Sequence, residues 1–383
     1  MAFGDRCWAY VDAKDNDRAL KDCNEALTLD RNLAFVYNDR GLAYYDKKDY
    51  GRAIADYNKA IKLDPKYVIA YNNRGNVYLK KRRYDRAIVD YSEAIKLDPK
   101  YAFAYNNRGN AYMHKNKYDR AIANYDEAIK LSPKYANAFN GRCWAYNGKN
   151  ESDRAIADCS EAIRLDPKMV SAYNNRGIAY KHKNKYDRAI ADYSEAIKLD
   201  PKYAFAYNNR GNVYLNKRRY DRAIIDYSEA IKLDPKYALA YMNRGNAYLD
   251  KKEYDRADGD YAQAVKLAPN NASAWNSLCW GQALGGNLKV ALKGCNTSLR
   301  IEPNVANTLD SRGLVNLKLG DLKNALSDYN AALKLSPRLA SSLYGRGIAE
   351  QKNGNATAAK ADISAAKALD RDIAKEFVTY GVK

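Results

Sequence analysis

The stretch YNNRGNVYLKKRRYDRAIVDYSEAIKLDPK, from Tyr71 to Lys100, contains the pattern that decides the fold. It predicts two amphipathic helices, Ala70 to Lys80 and Tyr84 to Leu97, which are joined by a basic turn and followed by a proline. The first helix nevertheless contains three asparagines and a glycine, and these are poor helix formers. Something other than helix stability must therefore account for them.

The prolines indicate that this stretch is one copy of a repeat. All nine are spaced 34 residues apart, at Pro65, Pro99, Pro133, Pro167, Pro201, Pro235, Pro269, Pro303 and Pro337. We number the repeat so that Ala34 is at position 1 and Pro65 is at position 32. Residues 1–373 then form eleven repeats, which start near residues 1, 34, 68, 102, 136, 170, 204, 238, 272, 306 and 340. We expect residues 374–383 to form a capping helix.

Six further positions carry the same residue types in most copies. In the third repeat these residues are Tyr71, Gly75, Tyr78, Ala87, Tyr91 and Ala94. The pattern resembles the tetratricopeptide repeat family, whose helix-turn-helix unit has aromatic, glycine, alanine and proline residues in these places. The resemblance covers almost the whole chain. It implies an all-α, right-handed superhelical α-solenoid of eleven 34-residue helix-turn-helix repeats, in which the first helix of each repeat lines the concave face.

The cysteines form three pairs, each sixteen residues apart: Cys7 with Cys23, Cys143 with Cys159, and Cys279 with Cys295. Each pair replaces the glycine of position 8 and the aromatic residue of position 24 together, so these two positions should be in contact. Either two medium-sized residues replace a small and a large one, or each pair forms a disulfide. We favour disulfides, which predict a periplasmic or otherwise exported protein, whereas reduced cysteines would indicate the cytoplasm. No metal site and no cofactor are predicted, because the two histidines lie in other repeats.

A second pair of positions also varies together. Arginine occupies position 7 in ten repeats and aspartate occupies position 23 in nine, while the ninth repeat has Leu278 and Gly294 instead. This indicates an ion pair between the two helices of a repeat, as in Arg74 with Asp90 and Arg210 with Asp226. We expect the role of these pairs to be structural.

The asparagines of the first helix lie on the face predicted to line the groove. At 3.6 residues per turn, positions 2, 5, 6, 9, 12 and 13 fall within an arc of roughly 120°. A side-chain amide offers both donors and an acceptor, so a row of amides can hold an extended peptide backbone. The predicted peptide-binding residues are Asn72, Asn73, Asn76, Asn106, Asn107, Asn110, Asn174, Asn175, Asn208, Asn209, Asn212, Asn243 and Asn246.

Five of these residues, at position 6, resemble the asparagine ladder of the O-linked N-acetylglucosamine transferase repeat domain. They are Asn73, Asn107, Asn175, Asn209 and Asn243. The resemblance implies binding of an extended peptide. The ladder is interrupted at Gly141 and altered at Asp39, Ser277 and Ser311. Alternatively, the asparagines form hydrogen bonds only to one another or to water.

The formal net charge of +19 leaves three interpretations open. The basic residues could keep the chain soluble, attract an acidic protein or bind nucleic acid, although they form no single stripe and we do not expect nucleic acid. No segment has the roughly 18 apolar residues that a membrane helix needs, so no membrane insertion is expected. No catalytic triad or phosphate-binding loop is present. The sequence therefore predicts a non-catalytic protein-protein interaction scaffold with a protein or peptide partner, with polyanion binding as the alternative.

Overall fold

A computed structural model describes residues 2–382. Within that range the regular structure consists of 23 α-helices and contains no strand. The chain divides into two compact units, Met1–Leu199 and Asp200–Lys383. The predicted all-α repeat solenoid is confirmed. None of the helices between residues 2 and 382 is both long enough and apolar enough to span a membrane.

The helices follow one another in pairs, one pair for each repeat. The first unit contains α1 Ala2–Asp12, α2 Asn16–Leu29, α3 Ala34–Asp46, α4 Tyr50–Leu63, α5 Val68–Lys80, α6 Tyr84–Leu97, α7 Ala102–His114, α8 Tyr118–Leu131, α9 Ala136–Gly148, α10 Ser152–Leu165, α11 Val170–His182 and α12 Tyr186–Leu199. The second unit contains α13 Ala204–Asn216, α14 Tyr220–Leu233, α15 Ala238–Asp250, α16 Tyr254–Leu267, α17 Ala272–Leu284, α18 Leu288–Ile301, α19 Ala306–Leu319, α20 Leu322–Leu335, α21 Ala340–Lys352, α22 Ala356–Leu369 and α23 Ile373–Thr379.

The odd-numbered helices form one face of each unit. Each odd-numbered helix packs against the even-numbered helix that follows it, and that helix packs against the next odd-numbered one. Within each unit, successive odd-numbered helices also touch each other, whereas successive even-numbered helices in the described part of the chain do not. Because only the odd-numbered helices among those described contact one another in this way, they lie on the inside of the curve of each unit. We call the surface that they form there the inner face.

The turn between the two helices of a repeat is tight because position 15 adopts a left-handed backbone conformation. The φ angle is 54–62° at Lys14, Lys48, Arg82, Asn116, Asn150, Asn184, Arg218 and Lys252. The last three repeats have glycine there, with φ of 81–89° at Gly286, Gly320 and Gly354. Glycine adopts this conformation without steric cost, whereas most other residues lose roughly 1–2 kcal/mol. The repeats with lysine or arginine at position 15 therefore form a less favourable turn than the last three, whereas asparagine tolerates this conformation better.

The core of most repeats is a tyrosine at position 24 that lies against the glycine at position 8. Tyr91 is fully buried, and a Cβ atom added to Gly75 would lie 2.6 Å from its Cε1 atom. The same contact joins Gly41 to Tyr57, Gly109 to Tyr125, Gly177 to Tyr193, Gly211 to Tyr227, Gly245 to Tyr261 and Gly313 to Tyr329. Glycine is required at position 8 because the tyrosine ring occupies the space of any side chain.

The three cysteine pairs replace this contact. They join α1 to α2, α9 to α10 and α17 to α18, and all six side chains are fully buried. The Cα atoms are 5.2 Å apart in Cys7–Cys23, 5.5 Å in Cys143–Cys159 and 5.2 Å in Cys279–Cys295. The predicted pairs thus lie at disulfide-bonding distance.

The arginine at position 7 joins three helices. Arg74 donates to both carboxylate oxygens of Asp90, at 2.9 and 2.6 Å, and to Asn58 Oδ1 of the preceding repeat at 2.7 Å. Arg210 donates to Asp226 at 2.9 and 2.8 Å. Removal of the arginine would leave the buried carboxylate, which is 3% exposed at Asp90 and at Asp226, without its charged partner, and this is destabilising. These contacts support the structural role expected from the sequence.

We expect Gly75→Ala to destabilise the protein and Gly259→Ala to stabilise it. The new Cβ at position 75 would overlap the Tyr91 ring, and overpacking costs roughly 1–3 kcal/mol. Gly259 is exposed in α16 with no atom within 4 Å of a new Cβ, so alanine there should gain up to about 1 kcal/mol of helix propensity. Urea unfolding of the two variants tests this pair, and equal stabilities would contradict the packing argument.

We expect the protein purified and unfolded without reductant to contain no reactive thiol. Each bond would close a loop of about sixteen residues, which stabilises the folded state by roughly 3 kcal/mol. Reduction should therefore release all six thiols and lower the melting temperature. Thiol titration in denaturant checks the first point and a melting curve checks the second. Six reactive thiols before reduction would contradict the disulfide assignment.

Candidate functional site

Positions 2, 5, 6 and 9 of the odd-numbered helices lie together on the inner face. In the second unit, one cavity is lined by Asn276 at position 5, Ser277 at position 6, Trp280 at position 9 and Asn307 at position 2. The helical arc predicted from the sequence therefore corresponds to a continuous surface there.

Asparagines at positions 5 and 6 form hydrogen bonds between successive repeats. The amide nitrogen at position 6 donates to the amide oxygen at position 5 of the preceding repeat. The bonds are Asn73 to Asn38, Asn107 to Asn72 and Asn175 to Asn140, each 3.0 Å, and Asn243 to Asn208, 2.9 Å. Position 5 also donates to position 6 of its own helix, from Asn106 to Asn107 at 3.2 Å and from Asn208 to Asn209 at 3.5 Å. These amides therefore tie each repeat to its neighbour.

Burial divides the predicted peptide-binding residues into two groups. Those at position 5, Asn72, Asn106, Asn174 and Asn208, are only 1–5% exposed. Position 6 is less buried, since Asn73 is 9% exposed and Asn107, Asn175, Asn209 and Asn243 are half-buried. A ligand on the inner face would thus meet position 6 but would barely reach position 5.

The asparagine at position 9 accepts a hydrogen bond from the buried tyrosine at position 24. The hydroxyl donates from Tyr91 to Asn76 at 2.8 Å, from Tyr125 to Asn110 at 2.7 Å, from Tyr227 to Asn212 at 2.8 Å and from Tyr261 to Asn246 at 2.8 Å. Position 9 is apolar at Leu42, Ile178 and Leu314, and there the hydroxyls of Tyr57, Tyr193 and Tyr329 have no partner within residues 2–382. The position 9 asparagine therefore satisfies a buried donor.

This bond leaves the nitrogen side of the same amide available. Asn76, Asn110, Asn212 and Asn246 are partly exposed, and no further side-chain bond is found for them among the described residues. Because the tyrosine engages Oδ1, each Nδ2 group remains to donate toward the inner face. Position 9 thus provides two pairs of donors in adjacent repeats, Asn76 with Asn110 and Asn212 with Asn246.

The row of asparagines at position 6 is interrupted in the second and fifth repeats, which have Asp39 and Gly141 there. At position 6 of the fifth repeat, the Tyr125 ring fills the space of a side chain, because a Cβ on Gly141 would lie 2.5 Å from its Cε1 atom. Asn140 donates instead to Ser171 Oγ at 3.1 Å. In the second repeat, Asn38 donates to the buried Asp39 at 3.1 Å, and burial raises the pKa of that carboxyl to about 6.

Apolar side chains at position 2 are also exposed, and they are not among the binding residues predicted above. We call Phe35, Ile69, Phe103, Phe205 and Leu239 the apolar ridge, and these residues are 38–54% exposed. Phe103 packs edge-on against Tyr135 with ring centroids 5.1 Å apart, and Phe205 packs against Tyr237 at 5.2 Å. The signal was present in the sequence, because large apolar residues recur at a position that the helical arc places on the groove side.

Many basic side chains are paired with aspartates of the preceding repeat. Lys47 contacts Asp17 at 2.6 Å, and Lys149 contacts Asp119 at 2.6 Å. Lys251 contacts Asp221 at 2.7 Å, and Lys115 with Asp85 and Lys183 with Asp153 form the same pair. Part of the positive charge of the turns is therefore compensated locally.

We expect Tyr91→Phe to destabilise the protein and Tyr57→Phe to leave its stability unchanged or higher. Loss of the bond to Asn76 should cost about 0.5–1.5 kcal/mol. The Tyr57 hydroxyl has no partner in the described structure, so its removal takes away an unsatisfied buried group. Unfolding curves of the two variants provide the measurement. Equal losses of stability in the two variants would contradict a stabilising role for the hydrogen bond to the asparagine at position 9.

Comparison with protein families supports the repeat assignment. A model described as "Tetratricopeptide repeat" matches residues 68–101, 102–135, 170–203, 204–237 and 238–271. A second model with that description matches residues 311–372, and one described as "TPR repeat" matches residues 41–82. Together the matches cover more than half of the chain. No curated protein matches it.

Several solved structures have a similar fold. A chain of the APC/C hetero-tetramer Cut9–Hcn1 is 14% identical with a TM-score of 0.58, and the match covers 98% of this chain and 95% of that one. A tetratricopeptide repeat protein from Parabacteroides merdae is 19% identical with a TM-score of 0.55, over 68% and 98% of the two chains. Identities this low support a shared fold alone.

Proposed function

The chain belongs to the tetratricopeptide repeat family, and from this we propose that it is a non-catalytic protein-protein interaction scaffold. Repeat solenoids of this kind present extended surfaces that are suited to binding other proteins. We infer that the ligand is an extended protein segment lying along the inner face of the odd-numbered helices. The observation that carries this proposal is the pair of amide donors that position 9 provides in each unit.

An extended backbone is the ligand chemistry that fits such donors. Its carbonyl groups are acceptors at regular intervals, and each neutral hydrogen bond contributes about 1 kcal/mol net. Hydrogen bonds from these donors to the backbone of the segment depend little on its side chains. Position 5 contributes to the proposed surface by holding the repeats together, since its asparagines are almost completely buried.

The apolar ridge would supply the remaining affinity. Burial of a phenylalanine or leucine side chain against a partner contributes roughly 1.5–3 kcal/mol. An exposed row of such residues beside these donors favours a segment with alternating apolar side chains and free carbonyl groups. We therefore propose that the partner is a protein segment of mixed polarity.

Polyanion binding is the competing proposal, and two observations weigh against it. Lysines at the turns are paired with aspartates of neighbouring repeats, and this reduces the charge available to phosphates. Positions 2 and 5 on the inner face contain no lysine in any repeat. The exposed cations at Arg82, Arg83, Arg218 and Arg219 remain the basis of this alternative.

We expect the double change Phe103→Ser and Phe205→Ser to weaken the binding of peptides selected on the intact protein from a random display library. The loss should be about tenfold or more, because two apolar contacts disappear. Both side chains are more than half exposed, so the fold should be retained. Val89→Ser with Ile225→Ser is the matched control, because these residues are 67% exposed on the even-numbered helices.

Salt dependence distinguishes the two proposals. Peptide affinity through neutral contacts should change little between about 50 and 200 mM salt, whereas phosphate binding falls steeply over that range. A variant with glutamine at Arg82, Arg83, Arg218 and Arg219 should keep its peptide affinity. Failure to select any peptide, together with tight salt-sensitive binding of a single-stranded oligonucleotide that this variant loses, would contradict the scaffold proposal.

A further inference from the structure

The inner face of the second unit contains an acidic pocket near the end of the chain. It has a volume of about 450 Å³ and lies among α15, α17, α19, α21 and the short helix α23. Three carboxyl groups line it, those of Asp310, Asp370 and Glu376, and no lysine, arginine or histidine within the described residues does so. This is unexpected in a chain with a formal net charge of +19.

The side chains at the pocket differ from those in the earlier repeats. Asp310 takes position 5, where most repeats have asparagine, and it accepts hydrogen bonds from Ser341 at 2.8 Å and Ser342 at 2.5 Å. Burial raises the pKa of the Asp310 carboxyl, so a cation beside it would stabilise the ionised form. Asn276 also lines the pocket, and its buried Oδ1 atom has no partner in the described structure.

Aromatic rings form another part of the wall. Trp280 takes position 9, and its ring packs edge-on against that of Tyr380 with centroids 5.2 Å apart. The Tyr380 hydroxyl donates to Glu376 Oε2 at 3.2 Å and so holds this exposed carboxylate at the pocket. Acidic groups, an unpaired amide oxygen and aromatic rings together suit a cation that both donates hydrogen bonds and stacks.

We propose that this pocket binds the guanidinium group of an arginine side chain carried by the partner segment. Guanidinium is planar, has five donors and stacks on aromatic rings, whereas an ammonium group is a compact and strongly hydrated charge. A metal ion fits less well, because no group of three His, Cys, Asp or Glu side chains in residues 2–382 is placed to hold one. The inference deepens the proposed function and rests on it for the presence of a partner segment.

The test uses small probes that do not depend on the position 9 amides. N-acetyl-arginine amide, its lysine counterpart and its uncharged citrulline counterpart are titrated into the full chain by calorimetry. We expect the arginine probe to bind at least tenfold more tightly than either of the others. Asp370→Asn with Glu376→Gln should remove that preference, whereas Glu302→Gln, an exposed carboxylate outside this pocket, should keep it.

Equal affinity for the arginine and citrulline probes would overturn the inference, and so would an arginine preference that survives in the double variant. Equal affinity for the lysine probe would overturn the assignment to arginine. Melting curves show whether the variants are folded, and the exposed Glu376→Gln change alone serves if the double variant is not. Library peptides that bind the intact protein while the arginine probe does not would overturn the pocket and leave the scaffold proposal standing.

Discussion

The buried tyrosine at position 24 is the constraint on which most of the repeat depends. Its ring occupies the space above position 8, so glycine is required there, as at Gly75 beneath Tyr91. Its hydroxyl needs an acceptor, which position 9 supplies in four repeats. Where cysteine replaces the tyrosine, both requirements disappear together. Position 8 then accepts a second cysteine, and position 9 holds a tryptophan in all three such repeats, Trp8, Trp144 and Trp280.

The sequence was sufficient to predict the helices, the repeat and the contacts between positions that vary together. The regular prolines define the period of the repeat. The ninth repeat has Leu278 and Gly294 in place of the arginine and the aspartate, and this joint loss indicates from the sequence alone that positions 7 and 23 form an ion pair. The degree to which each asparagine side chain is buried could not be predicted. Asn72 and Asn76 lie one turn apart on the same helix face, yet Asn72 is buried and Asn76 is partly exposed. The helical arc gives only the direction of a side chain around the helix axis, whereas its burial depends on how closely the next repeat packs against that helix.

The hydrogen bonds of the asparagines change what an alanine substitution would measure. Alanine is the better helix former by up to about 0.7 kcal/mol, which alone would raise stability. However, removal of Asn73 would leave the oxygen of the buried Asn38 without its donor, and an unsatisfied buried acceptor costs roughly 1–3 kcal/mol. The second effect is larger, so loss of binding in an asparagine variant would be mixed with loss of stability. The apolar ridge is the better place to separate binding from folding, because its side chains are exposed.

The tenth repeat keeps the core of the fold while its inner face changes. In the tenth repeat Tyr329 is fully buried and Arg312 is paired with Asp328, as in earlier repeats. The inner face there has Asp310 and Ser311 instead of two asparagines. This difference has a physical consequence for a bound segment. In the second unit the position 9 donors are Asn212 and Asn246, which lie in adjacent repeats. A segment held only by these two amides would lose one hydrogen bond, about 1 kcal/mol, on shifting by one repeat. The acidic pocket would fix the register more firmly, because an arginine of the segment that occupies it would have to leave it on any such shift.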